Sequence, residues 1–309
     1  MIGRTEVDVR GAHAGEYPLG HTTLPTKDIG RLLLRCADRP GLVAAVSTFL
    51  AAAGANIVSL DQHSTRQSGG TFMQRTIFHL PGLSAARDTM ERDFADQVAT
   101  PFGMDFRLSE AAKPKRVAVM ASKEDHCLLD LLWRNRRGEL DMSVAMVIAN
   151  HPDLADDVRP FGVPFLYVPA HKDIRDEAER RQLDLLRGNV DLVVLARYMQ
   201  ILTPGFIDQV GCPLINIHHS FLPAFIGAAP YRRAKERGVK LVGATAHYVT
   251  ENLDEGPIIE QDVVRVDHRH SVDDLVRLGA DVERAVLSRA VLWHCEDRVI
   301  RYGNQTICF

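Results

Sequence analysis

The chain has 309 residues, 46% of them hydrophobic and 25% charged, with 37 Lys and Arg against 40 Asp and Glu for a net charge of −3. That length suits two domains, and the apolar share suits ordinary globular cores. The near-balanced charge gives no electrostatic footprint for nucleic acid or a membrane surface, and no apolar run reaches the roughly 18 residues that a spanning helix needs.

Residues 1–27 begin MIGRTEVDVRGAHAGEYPLGHTT. This stretch lacks the apolar core of a secretory signal and reads as a flexible polar tail. The five cysteines, Cys36, Cys127, Cys212, Cys295 and Cys308, include no CxxC pair and are odd in number. Reduced thiols in the cytoplasm are the expectation, rather than disulfides or a zinc site.

The run Ile29 to Ala37, IGRLLLRCA, reads as a strand. DRPGLVAAVSTFLAAAGANI follows, with Asp38 as a helix cap, Pro40 in the first turn and Gly54 at the stop. Leu42, Val43, Val46, Phe49 and Leu50 recur at helical spacing between them. Ile57 to Thr65 and Thr71 to His79 read as strands joined by the turn Gln67-Ser-Gly-Gly70. Ala85 to Val98 reads as a helix and Met104 to Leu108 as a strand. The order βαββαβ over residues 28–110 is ferredoxin-like. With DRPGLVAAVS at the strand-to-helix turn, it resembles an ACT domain. That resemblance implies either a small effector such as an amino acid at Asp38, Arg39, Pro40 and Gly41, or an oligomerisation module in which those residues only start a helix.

Residues 111–116, AAKPKR, read as a linker, and 117–309 as a second domain. Strand-like runs at Val117–Ala121, Met142–Ala149, Pro164–Val168, Val190–Leu195 and Pro213–Ile217 alternate with helical stretches such as Asp173 to Arg187. This alternation predicts parallel strands with right-handed crossovers, a doubly wound, Rossmann-like α/β sheet. Leu241–Val249 and Ile258–Val266 add two strands, Ser271 to His294 a long helix, and Arg298 to Phe309 an edge strand and tail.

Two stretches carry the chemistry. In INIHHSFLPAFIG, Leu214, Ile215 and Ile217 bracket the polar Asn216, and the strand ends at His218, His219 and Ser220. Such strand ends are where α/β sheets bind ligands. In LDEGPIIEQ, Asp254 stands beside Gly256 and Pro257, which turn the backbone. Asn216 and His218 are two residues apart and share a face while the strand continues. An amide donor, an imidazole and a carboxylate can therefore meet around one carbonyl. Taken alone, an Asn-x-His is more often a buried pair satisfied by loop backbone. Zinc held by His218, His219 and His247 lacks metal-ligand spacing.

NIHHSFLPAF, followed by GVKLVGATAHYVTENLDEGPIIEQDV, resembles the folate-dependent formyltransferase family. Within it, the resemblance is nearest the formyltetrahydrofolate deformylase branch and runs from about Ile29 onward. It implies Asn216, His218 and Asp254 as the catalytic trio. It also implies a pterin slot made by Met199, Gln200, Ile201 and Leu202 with Val249, Thr250, Glu251 and Asn252. The implied reaction is hydrolysis of 10-formyltetrahydrofolate to tetrahydrofolate and formate by direct attack of water. No metal or other cofactor is expected, and the formate would feed purine synthesis. The ACT resemblance further implies homo-oligomers.

The segment Ser122-Lys-Glu-Asp-His-Cys127 favours water as acceptor. A glycinamide ribonucleotide transformylase has a glycine-containing phosphate loop there, and phosphate cradles use small residues and free N–H groups at a helix start. SKEDHC is acidic and has no glycine. It also reads as an ordinary helix start with Ser122 as cap. Ala229 departs from the branch, which often has a polar or basic residue at that place in GAxPY. The rival expectations are a transferase passing formyl to an amine such as glycinamide ribonucleotide, and a folate sensor without activity.

Overall fold

The computed structural model describes residues 26–223 and 230–309; the expected tail up to residue 25 and the Ala229 position lie outside the described residues. The first sheet is built from β1 (Ile29–Ala37), β2 (Asn56–Ser64), β3 (Thr71–His79) and β4 (Asp105–Glu110). Its order is β2-β3-β1-β4, and every pairing is antiparallel. Two helices cover one face: α1 (Leu42–Ala52) and α2 (Leu83–Phe94). The second continues through a π turn at Ala95–Ala99 into a single turn, α3 (Thr100–Phe102). Leu32, Leu34 and Phe78 from the sheet meet Val46, Leu50 and Phe94 from the helices in one buried cluster. This is the expected ferredoxin-like βαββαβ unit.

One local reading fails here. Asp38 does not cap α1; Gly41 takes the N-cap position in the left-handed region at φ 94, without a side-chain bond, and Pro40 lies before the helix. The backbone N–H of Asp38 instead bonds Gly70 O at 2.9 Å, which ties the loop to the β2–β3 turn.

β5 (Lys115–Ala121) opens the second sheet. Lys115 and Arg116, read from the sequence as linker, are its first residues. It continues with β6 (Met142–Ala149), β7 (Phe165–Tyr167), β8 (Leu192–Ala196), β9 (Leu214–His218), β10 (Leu241–Tyr248) and β11 (Ile258–Arg265). The order is β11-β10-β9-β8-β5-β6-β7, parallel from β9 through β7, with β10 and β11 antiparallel at one edge. β8 is buried along its whole length, as a central parallel strand covered on both faces must be.

The residues of β5 alternate between two cores, because successive side chains of a strand point to opposite faces. Val117, Val119 and Ala121 join Leu128, Leu131, Val286 and Leu287, from α4 (His126–Arg136) and α9 (Val272–Cys295). Ala118 and Met120 join Leu183, Leu186 and Phe206, from α6 (Arg175–Leu186) and α7 (Pro204–Gln209). Short helices α5 (Ala155–Val158) and α8 (Pro230–Arg237) complete the layers.

Two terminal readings change. Ser122 does not cap α4; Asp125 holds the N-cap position, and Ser122 Oγ accepts from the backbone N–H of Met199 at 2.9 Å. The C-terminal segment is a hairpin, β12 (Val299–Tyr302) and β13 (Gln305–Cys308), rather than one edge strand and a tail. Gly303, with φ 57, supplies the turn that the sequence reading passed over.

Candidate active site

β9 delivers Asn216 and His218, and β10 lies beside it in antiparallel register, with His247 opposite Asn216 and Thr245 opposite His218. Directly opposed residues share a face of the sheet. Asn216 Nδ2 and His247 Nε2 are 3.3 Å apart. His247 Nδ1 lies 3.0 Å from Tyr248 O. A carbonyl only accepts, so Nδ1 carries the proton and, in the neutral ring, Nε2 accepts from Asn216. Burial holds the His247 pKa below its usual value, against the opposing bond to Tyr248 O and the charge of Asp254, which keeps the ring neutral. This bond fixes which end of the Asn216 amide is nitrogen and leaves its second N–H for a substrate oxygen.

Asp254 arrives from the loop between β10 and β11. Because β10 is antiparallel to β9, Tyr248 ends opposite Ile215, and the loop folds back over the strand pair to reach the site. The backbone N–H of Tyr248 closes the loop's neck on Pro257 O at 2.9 Å. Gly256 is required there, since a Cβ would stand 1.8 Å from Tyr248 O. Asp254 itself lies in the left-handed region at φ 58. Its Oδ2 is 3.3 Å from His218 Nδ1 and its Oδ1 is 3.7 Å from His247 Nε2. Burial alone would raise the Asp254 carboxyl; the hydrogen bond and charge of His218 outweigh it and lower the pKa. Asp254 is thus ionised at neutral pH. His218 Nε2, on the far edge of the ring, is buried with no hydrogen-bond partner among the described residues.

The loop after His218 is anchored by Thr245, which is fully buried. Its hydroxyl donates to Ser220 O at 2.9 Å and accepts from Leu222 N at 3.0 Å and Gln261 Nε2 at 2.9 Å. The Leu222–Pro223 peptide is cis. His219 stacks obliquely between His218 and Tyr231, at centroid distances of 5.1 and 6.2 Å. Burial, helped by Arg197 and His218, pulls its pKa down to about 4, so it packs as a neutral ring supporting the loop.

Of the expected slot residues, Met199 and Ile201 are exposed at 56% and 62%, whereas Leu202 is buried in the core. Gln200, Val249 and Thr250 are half-buried, and Glu251 and Asn252 exposed. Val249 packs on the cluster that holds Tyr198 and Leu202, so the two segments meet at their bases. Exposed Phe221 and Leu253 add apolar surface from the two catalytic loops. Leu202 can offer only its backbone to a ligand. In the ACT unit, Arg39 donates to Pro101 O at 2.9 Å and lies over the Phe102 ring at 4.6 Å, while Pro40 and Gly41 are exposed and Asp38 half-buried.

Sequence reasoning missed a second polar hub. Glu283, 2% exposed, accepts from Tyr231 Oη at 2.8 Å, bonds His126 Nε2 at 2.8 Å and lies 3.4 Å from Arg197 Nε. Burial would raise its pKa, but the His126 bond and the Arg197 charge lower it. His126, Cys127 and Glu283 are the one group among the described residues close enough to share a metal ion. A cation there would face the Arg197 guanidinium. His126 comes from the SKEDHC segment, so that helix start is engaged with a carboxylate and is poorly suited to an anion. The mid-helix Gly279 was the available signal: a Cβ there would stand 1.9 Å from Tyr231 Oη.

Comparison with known proteins identifies both domains. The Formyl transferase family model matches residues 115–291, and the ACT domain model matches residues 30–92. The chain is 79% identical over 282 residues to the formyltetrahydrofolate deformylase of Mycobacterium tuberculosis (strain ATCC 25618 / H37Rv), covering 91% of each chain. It is 52% identical to that of Bacillus subtilis (strain 168), covering 92% of this chain and 94% of the relative. A crystal structure of a formyltetrahydrofolate deformylase from Pseudomonas syringae pv. tomato superposes with a TM-score of 0.87 at 47% identity, over 91% of this chain and 94% of the other.

Proposed function

The chain belongs to the formyltetrahydrofolate deformylase family, and from that premise we propose how its own residues hydrolyse 10-formyltetrahydrofolate. The enzyme is a hydrolase that releases tetrahydrofolate and formate. The observation that carries the reading is the His218 ring: one nitrogen faces ionised Asp254, and the other is buried without a partner among the described residues. A buried polar atom without a partner is costly, and a substrate atom that completes it recovers that cost.

Water attacks the formyl carbon, forming the new C–O bond and moving the carbonyl electrons onto oxygen. Asn216 donates its free N–H to that oxyanion; such a donor is typically worth about 2.7–4 kcal/mol in the transition state. Asp254 orients the water, whose proton passes to His218, and the carboxylate stabilises the imidazolium that forms. His218 then protonates the folate nitrogen as the C–N bond breaks, and general acid–base help of this kind contributes about 10²–10⁴-fold. The mechanism proposed uses no metal, so extensive chelation should leave turnover unchanged. The slot between Met199–Leu202 and Val249–Asn252 would take the pterin, with Met199, Ile201 and Leu253 as its exposed apolar rim.

No helix among the described residues is long and apolar enough to cross a membrane. We place the reaction in the cytoplasm, where the five free thiols would stay reduced and the formate would supply purine synthesis. We assign the ACT domain an amino-acid effector at Asp38–Gly41, with glycine and methionine as first candidates, and a role in homo-oligomer formation. The primary test is formate release from 10-formyltetrahydrofolate by the purified chain with no added amine. Stoichiometric formate and tetrahydrofolate are expected, with Asp254→Asn reduced at least about 10²-fold. Near-normal turnover by Asp254→Asn would remove that residue from the mechanism, and folate binding without formate would favour a sensor.

A further inference from the structure

Residues 297–309 lie beyond both matched segments, yet their hairpin touches both domains. On one side, Ile300 is buried with Leu33 and Met73 of the first sheet. Arg35 donates to Arg301 O at 2.9 Å, and Arg75 donates to Asp297 O at 2.9 Å. At the hairpin's root, buried Asp297 receives Ser109 Oγ at 2.6 Å, Lys115 Nζ at 2.7 Å and Arg107 at 2.6 Å. The first sheet therefore fixes where the hairpin starts and which way it faces.

On the other side, the hairpin meets the loop that carries Asp254. Asn304 Nδ2 donates to Glu255 O at 2.9 Å, and Thr306 Oγ1 donates to Ile258 O at 2.6 Å. These two carbonyls flank the Gly256-Pro257 turn immediately after Asp254. The hairpin tip also lines a cavity of about 580 Å³ together with Leu222, Asp254 and Gly256. A non-glycine residue in the left-handed region persists only where its surroundings over-determine it. Asp254 is such a residue, at φ 58, and the neck of its loop is closed at Tyr248 and Pro257.

We propose that Asn304 and Thr306 are positioning residues for the hydrolysis: they hold the loop so that the Asp254 carboxylate stays on His218, and the ACT sheet sets that hold through the hairpin. The inference rests on the role assigned to Asp254 above. It makes the first domain part of the catalytic geometry even with no effector bound. It also explains why an exposed tip, far in sequence from either site motif, spends two side chains on backbone carbonyls of the catalytic loop.

The test uses the full chain carrying Asn304→Ala and Thr306→Val, singly and together. Asn304 is exposed at the tip and Thr306 is half-buried on β13, and each gives up only one hydrogen bond to a loop carbonyl, so the melting temperature should hold. Steady-state formate release should show kcat down roughly tenfold in the double variant, the scale of two lost hydrogen bonds, with KM within about twofold. Thr306→Ser, which keeps the donor, should restore kcat. Arg35→Ala, which loosens the hairpin from the first sheet, should lower kcat about two- to threefold. Amide hydrogen exchange across residues 253–257 reads the same hold without turnover and should accelerate in the double variant. Unchanged exchange with unchanged kcat overturns the proposal, as does a kcat loss that tracks the melting temperature and is not rescued by serine. Full kcat in Arg35→Ala overturns the part assigned to the ACT sheet. Should the parent release no formate while exchange still accelerates, the assigned reaction fails and with it the role in hydrolysis, and only the hold on the Asp254 loop stands.

Discussion

His247 shows what a residue's neighbours across a strand pair add to its type. Asn216, His218 and Asp254 were legible because an amide, an imidazole and an acid stand in two compact motifs. His247 was legible only as a poor zinc ligand, since its partner depends on the register that sets it opposite Asn216. The same register gives a prediction. His247→Ala removes the acceptor that orients the Asn216 amide, leaving the group free to rotate and present its oxygen to the oxyanion. The expected result is a kcat lower by about 10–100-fold, less than the 10²–10³ lost with a whole oxyanion donor, and a KM changed by less than about threefold. Gln at 247, which keeps an acceptor, should recover part of the loss. Steady-state kinetics of the two variants decide it: equal kcat in alanine, glutamine and parent would mean that Asn216 needs no such guide.

Elements were legible where periodicity and turn residues agree, as in β1, β3 and β6, whose bounds fell where the sequence pattern put them. They were misread where a local signal competes with tertiary contacts. Ser122 looks like a cap, but its hydroxyl is needed by Met199 N in the loop after β8. Arg298 to Phe309 looked like an edge strand and tail, and only the packing of Ile300 against Leu33 and Met73 shows the hairpin folded onto the first sheet. Helix α9 carries the sharpest test at this scale. An alanine in place of a mid-helix glycine ordinarily stabilises by about 1 kcal/mol through propensity. At Gly279 the new methyl would strike Tyr231 Oη, pushing that hydroxyl off Glu283 and leaving a buried carboxylate short of a donor. We expect Gly279→Ala to destabilise by about 1–3 kcal/mol in chemical denaturation. A variant as stable as the parent or more so would show that Tyr231 moves aside without cost and that the Glu283 hub does not depend on it.

At the scale of the whole molecule, buried histidines of the second domain make the fold sensitive to mild acid, whereas the buried carboxylate that joins the two domains does not. His294, 5% exposed, accepts or donates at 2.8 Å with Tyr248 Oη on the strand that carries His247. Burial first, then the positive charges of Lys115 and Arg107, pull its pKa from 6.5 down to about 3. His219 is pulled to about 4. An unfolded imidazole takes up its proton near pH 6.5, whereas these folded rings do not. Their contribution is therefore complete above pH 6.5 and is lost as the pH falls toward their folded values, by about 2 kcal/mol each at pH 5. Asp297 behaves differently. Burial would raise its pKa, but the charges of Arg107 and Lys115 lower it below the ordinary 3.8, so its contribution survives to pH 4 and fails only in stronger acid. Denaturation from pH 7.5 to 5 should thus show a falling stability owed to the histidines and not to the interdomain carboxylate. His294→Gln keeps a hydrogen-bonding partner for Tyr248 without the titration, and its stability should decline less steeply over that interval than the parent's. Parallel curves for the two proteins would mean that His294 titrates in the fold as it does in the unfolded chain, and the acid sensitivity over that interval would then rest on His219.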